Sequence, residues 1–178
     1  HVVDDLYVTV AFNLTGGNLL RWFRDEFAAE EKRLAKELHK DPYDLIMKQI
    51  PTDPTDLMVL PHFVSTGTPY FDTSPTGAIL GLNLSTSRGE FIKALLEGVT
   101  YEMRLNLEIL SSAGIEVNQL RAVGGGAKSE TWMQIKSDIM NVPIEALDIT
   151  EAGCLGSAML AAIAAEKADS LTQLAQNW

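Results

Sequence analysis

The sequence is poor in cysteine, in positive charge and in long apolar runs, and each shortage closes off a class of protein. Cys154 is the only cysteine among 178 residues, so no internal disulfide can form and a reducing compartment suits the chain. It lies in a stretch of small apolar residues, where a small buried hydrophobe is expected rather than a nucleophile. With 14 basic against 24 acidic residues the formal net charge is −10. That balance argues against nucleic acid or an anionic membrane as a general partner, and a bound polyanion would have to be gripped locally. No apolar run reaches the ~18 residues of a membrane span, and no basic-then-apolar leader is present; a cytoplasmic protein is the expectation. Repeats and low-complexity segments are lacking too. At 178 residues the chain is the size of one domain, able to bury roughly 70% of the surface its unfolded form exposes. Its start, His1-Val2-Val3, has no methionine and runs at once into an apparent strand, as in a piece of a longer protein.

What is present centres on residues 120–132. A short apolar run, Leu120 to Val123, meets Gly124-Gly125-Gly126 and opens into a segment of helical period: a strand, a tight loop and a helix start. Adjacent glycines let the backbone take φ > 0 and let a ligand approach bare amides. Ser129 suits the N-cap, and Thr131-x-x-Gln134 offers an overlapping capping box. Trp132, Ile135, Ile139 and Met140 follow at helical spacing until Asn141 and Pro143 end the helix. Such a loop suits phosphate or a nucleotide; the structural alternative is a sharp turn under a packed helix.

Ahead of this unit, Leu6 to Phe12 is β-branched and aromatic and reads as a strand. The loop Asn13 to Asn18 carries Gly16-Gly17, and from Leu19 the residues Leu20, Phe23, Phe27, Leu34 and Leu38 give one helical period. The charges Arg21, Arg24, Asp25 and Glu30 to Arg33 read mainly as that helix's solvated face. Asp41-Pro42 starts a short helix, Pro51 to Asp56 is a loop, and Leu57 to Leu60 a buried strand. Residues 61–75 form a long turn-rich stretch in which His62 and Asp72 could serve as metal ligands or as an acid/base pair, though no third partner stands at suggestive spacing. Gly77 to Leu82 reads as a strand. Ser87 and Glu90 form a capping box for a long amphipathic helix ending at Gly114, with a stripe of Phe91, Leu95, Val99, Met103, Leu107 and Leu110. Glu97 and Glu102 on it read as solvated or capping groups. Ile144 to Leu147 is a short strand, Glu151 to Ala162 a helix whose Gly153 and Gly156 point to close backbone approach, and Ser170 to Trp178 a terminal helix.

Alternating strands and helices make an α/β domain. No Gly-x-x-x-x-Gly-Lys-Ser/Thr is present, and the Rossmann pattern fails where Ser129 stands in place of the third glycine; a dinucleotide-dependent oxidoreductase therefore lacks support. Three ordered stretches carry a resemblance. Gly77-x-Ile79-x-Gly81-Leu82 with Glu90-Phe91-x-x-Ala94-x-Leu96-Glu97-Gly98-Val99, then Gly124 to Trp132, and Gly16-Gly17-x-x-x-Arg21-Trp22 together resemble the C-terminal domain of the FGGY carbohydrate kinases, in particular the xylulokinase-like branch. With Glu151-Ala152-x-x-Leu155-Gly156-x-Ala158 the likeness spans about residues 7–165.

The resemblance implies an actin-like, ribonuclease-H-like ATPase domain over residues 1–178, the C-terminal half of a two-domain sugar kinase, without the upstream sugar-binding domain and the start of its own domain. It implies ATP with Mg2+ as the phosphoryl donor, a ketopentose such as xylulose or a related sugar or polyol as acceptor, and no nucleic acid or membrane partner; a homodimer is left open. By analogy Gly17 and Arg21 lie beside the nucleotide, Gly125, Gly126 and Ala127 hold the α-phosphate and ribose side, and Glu130 lies near the adenine. The family's catalytic aspartate and phosphate loop have no match here, so no catalytic residue and no metal ligand is assigned. A non-catalytic actin-like nucleotide-binding or assembly module is the alternative.

Overall fold

The computed structural model describes residues 7–149 and 151–175. Its centre is the helix α4 (Arg88–Ser112). The Ser87 side chain accepts from the Glu90 amide while the Glu90 carboxylate accepts from the Ser87 amide, closing the expected capping box. At the other end Gly114 takes φ 81° just past the last turn. From Ile92 to Thr100 every residue of α4 is buried, because other elements pack on all sides of this half. The expected stripe therefore holds only at Leu95 and Val99; Phe91, Met103, Leu107 and Leu110 are half-buried.

Around α4 stand α1 (Gly17–Phe27), α2 (Ala29–Leu38) and α3 (Pro42–Met47) on the N-terminal side. The single helix expected from Leu19 to Leu38 is broken at Ala28, which is fully buried with φ −115° and ψ 44°. The break turns α2 so that Phe23 of α1 packs on Phe91 of α4 at 6.2 Å between centroids. It also carries Glu31 inward, contrary to the solvated face read from the charge run. Arg88 grips both Glu31 oxygens and the Phe27 carbonyl, with Gln49 adding a bond to Glu31 at 2.7 Å. Asp41 caps α3 by accepting from the Tyr43 amide at 2.9 Å.

Two small sheets flank the helices. In the first, β1 (Met58–Leu60) pairs antiparallel with β2 (Ala78–Leu80), Val59 opposite Ile79. Val59 faces α4, where a Cβ on Gly98 would lie 2.7 Å from the Val59 oxygen, so only glycine lets the strand cross there. In the second, β3 (Leu120–Ala122) and β4 (Ile144–Ala146) run parallel through α5 (Glu130–Met140), which packs along α4. Helices α6 (Ala152–Ala164) and α7 (Leu171–Ala175) complete the order. The mixed α/β class is as expected.

Several local readings are corrected. Residues 7–13 join no strand ladder, and Tyr7, Val8 and Val10 are exposed: β-propensity makes a strand only beside a partner strand. Leu6 and the end of the terminal helix, 176–178, lie outside the described residues. No residue of α6 is buried, Gly153 and Gly156 face open space among the described residues, and Cys154 is exposed rather than a core residue. Glu97 and Glu102 are buried, not solvated. Glu97 accepts from Thr55 Oγ1 at 2.9 Å and lies 3.9 Å from Lys93, whose ammonium donates to the carbonyls of Pro51, Thr52 and Asp53. The loop before β1 is thus pinned to α4.

Candidate nucleotide-binding groove

Helices α1, α3 and α5 leave a groove of about 960 Å3 between them. Five of the expected site residues line it: Gly17 and Arg21 from the first turns of α1, Gly125 and Gly126 from the glycine turn, and Glu130 at the start of α5. Ala127 does not. Residues Gly125–Lys128 coil into a short 3-10 turn, which carries Ala127 off the lining while its neighbours Gly126 and Lys128 stay on it.

The turn has a local cause. Gly124 takes φ 88°, a left-handed value that glycine adopts without strain. Gly126 sits against Trp132, a Cβ there meeting the ring at 3.2 Å, whereas Gly125 and Gly17 have nothing within 4 Å of a Cβ position. Ser129 then caps α5 by accepting from the Trp132 amide at 3.3 Å. The overlapping Thr131–Gln134 capping box does not form, since Gln134 instead donates to Asp138 at 2.7 Å. Trp132 is 5% exposed, with Lys136 Nζ 4.4 Å over its ring; burial pushes the Lys136 ammonium below its ordinary pKa.

Motifs in the sequence do not announce the wall opposite the glycine turn. Lys40, Asp41, Tyr43, Asp44, Met47 and Lys48 line it, on a helix whose sequence signals only its start. Arg24 ties this wall to α1: paired with Asp25 at 2.7 Å, its guanidinium lies 5.1 Å over the Tyr43 ring. Two lysines bracketing a short capped helix in an acidic chain are the one signal that could have found it.

The arginine of the groove stands apart from the other arginines. Among the described residues Arg24, Arg33, Arg88, Arg104 and Arg121 each pair with a carboxylate, and Arg21 alone of the arginines does not. Lys40, Lys48 and Lys128 on the groove have no ion pair or side-chain hydrogen bond among the described residues, which is also true of Lys36 and Lys167 outside it. The N-terminus of α1 also has no side-chain cap and no acidic residue in its first turn. Free cations, an uncapped helix start and bare glycines are the donors an anion needs, and Leu20, Met47 and Trp132 add apolar surface.

His62 and Asp72 form neither a metal site nor an acid/base pair. His62 Nε2 faces Glu102 at 3.4 Å, and the Asp72 carboxylate accepts from the amide and hydroxyl of Ser74, which hold it below the usual carboxylate range. Among the described residues no group of three or more His, Cys, Asp or Glu could hold a metal ion, and no helix is long and apolar enough to cross a membrane.

Comparison with known proteins bears on the chain as a whole. The sequence model of the C-terminal domain of the FGGY family of carbohydrate kinases matches residues 1–165. A xylulose kinase of Bacillus subtilis (strain 168) is 30% identical over 178 residues, all of this chain and 34% of that protein. The crystal structure of a xyloylose kinase from Brucella ovis superposes with a TM-score of 0.68 at 31% identity, covering 88% of this chain and 31% of that one. That of Plasmodium falciparum glycerol kinase with ADP gives 0.68 at 27% identity, covering 89% and 30%. The chain thus spans about a third of the length of the relatives it matches, and it belongs to the FGGY family of carbohydrate kinases, matching their C-terminal domain.

Proposed function

We propose that the groove holds the nucleotide of an ATP-dependent carbohydrate kinase of the xylulokinase-like branch, within an actin-like, ribonuclease-H-like domain. The observation that carries this reading is the set of groups, unpaired among the described residues, that converge on one groove: Arg21, the uncapped start of α1 and the Gly125–Gly126 amides. An acidic protein has to hold a polyphosphate with such local donors rather than with its overall field. The apolar Leu20, Met47 and Trp132 suit the flat face of a base.

In this reading the γ-phosphoryl group passes in line from ATP to a sugar hydroxyl; Mg2+ brought with the nucleotide would supply charge neutralisation, and no residue of this chain is assigned to hold it. This chain's residues bind and orient. The amides at Gly17 and Gly125 donate to phosphate oxygens, Arg21 supplies a fixed positive charge, and the α3 wall keeps water from the base. Their contribution is positioning, which carries much of the rate in phosphoryl transfer. The carboxylate that takes the hydroxyl proton is assigned to no residue of this chain.

The test is ATP consumption by the full-length protein with a panel of ketopentoses, hexuloses and polyols. Turnover dependent on a pentulose, with KM for ATP raised about tenfold or more by Arg21→Ala, is the expected result, since a charge-assisted contact contributes about 1.5–3 kcal/mol. Nucleotide binding without any sugar-dependent turnover would favour the non-catalytic module instead.

A further inference from the structure

We propose that Asn106, on α4 and outside the groove, is a positioning residue for the nucleotide turn, acting through Asn13; the proposal rests on the nucleotide reading of the groove. Asn106 is 5% exposed, and its Nδ2 donates to Asn13 Oδ1 at 2.6 Å across 93 residues of sequence. Asn13 Nδ2 in turn donates to the Val99 carbonyl of α4 at 3.3 Å. The Asn106 Oδ1 is buried with no partner among the described residues. Burying an amide with one acceptor unpaired is unfavourable, and a leucine would fill the same slot without that penalty. What the amide supplies that an alkyl group cannot is direction.

The direction matters because Asn13 leads straight into the turn that starts α1. Just before it, Phe12 is clamped by both backbone groups to Thr68, whose amide donates to the Phe12 carbonyl at 2.9 Å and whose Oγ1 accepts from the Phe12 amide at 3.3 Å. Thr15 is buried. Asn18 closes the turn on itself, donating to the Leu14 carbonyl at 3.0 Å and accepting from the amides of Gly16 at 2.6 Å and Leu19 at 3.1 Å. The turn is bonded within itself, and Asn13 is one of the points that fix its orientation on the body, with the Phe12–Thr68 clamp before it and the buried Thr15 and Leu19 after it. Among the described residues the amides of Gly17 and Asn18, which begin α1, donate to nothing. Asn106 therefore helps to aim the uncapped end of α1 at the groove.

The test is a double-mutant cycle of Asn13→Ala and Asn106→Leu in the full-length protein, read by ADP titration, steady-state kinetics and amide exchange. Each single change should raise the ADP Kd and the KM for ATP about tenfold, leaving kcat and the sugar KM within about twofold. The double variant should be no weaker than either single one, because the two residues act in series. Without ligand, Asn106→Leu should speed exchange at Phe12 and Thr68, whose amides join the lead-in of the turn to the body. A lower Tm with wild-type Kd would make Asn106 a packing residue only and overturn the proposal, as would additive losses in the double variant or unchanged exchange. Failure of the wild-type protein to bind ADP would instead overturn the nucleotide reading, and the exchange result would still decide the tether.

Discussion

Gly125 and Gly17 stand at the groove with open space where a side chain would begin, which makes them cleaner probes than Gly126. Gly126→Val would push on Trp132 as well as on a ligand, whereas Gly125→Val adds bulk where nothing stands within 4 Å of the Cβ position. We expect Gly125→Val to weaken nucleotide binding at least about tenfold, ~1.4 kcal/mol, with stability within about 0.5 kcal/mol of wild type; titration and thermal unfolding of one preparation check both. Two carboxylates give pH dependences of opposite sign. The Arg88 guanidinium, then Gln49, hold Glu31 down at about 2 against a usual 4.5. Its contribution to stability is complete above pH 4.5 and is lost as pH falls toward 2; Arg88→Ala should remove that loss along with about 2–3 kcal/mol at neutral pH. Glu102 is the reverse case, raised by burial with His62 opposing. The folded state holds its proton longer than the unfolded chain does, so stability falls as pH rises from 4.5 through the raised value. Glu102→Gln should flatten that fall, with Tm measured from pH 4 to 8.

At the scale of elements, α4 carries the fold and Lys93 carries the loop before β1. Three carbonyls and Glu97 converge on the buried Lys93 ammonium, so Lys93→Met leaves Glu97 without its cation. The expected cost is about 3–5 kcal/mol, a fall in Tm of roughly 10 °C. Legibility followed the range of the forces involved. The caps at Ser87, Asp41 and Ser129 and the stop at Asn141 were readable because a cap is a contact over three or four residues. The inward turn of Glu31 was not, since it depends on Arg88, 57 positions away. Nor was the strand at residues 7–12 a matter of local sequence: its apolar pattern is present, but no described segment forms a strand ladder with it. The same division holds in the groove. Gly17, Arg21, Gly125, Gly126 and Glu130 were named from motifs, while the α3 wall comes together only through packing, and the 3-10 turn that removes Ala127 left no mark in composition.

Over the whole molecule, the chain leaves apolar surface uncovered. Met58, Leu60 and Leu80 on the outer face of the first sheet are 48–70% exposed, and α6 buries none of its residues. Patches of this kind drive association, so the 178-residue chain by itself should bind a hydrophobic dye and self-associate as concentration rises, seen by light scattering. The charge of the whole molecule opposes anions while the groove gathers cations that are unpaired among the described residues, so binding should rest on a few contacts and weaken only modestly with salt. The most direct measurement of the central claim is a calorimetric titration of the wild-type protein and its Gly125→Val variant with Mg-ATP, ADP and NAD under the same conditions. The account predicts that wild type binds the two adenosine phosphates and not NAD preferentially, with both affinities lost or reduced at least about tenfold in the folded variant. Selective NAD binding, or equal ATP affinity in the two proteins, would contradict it.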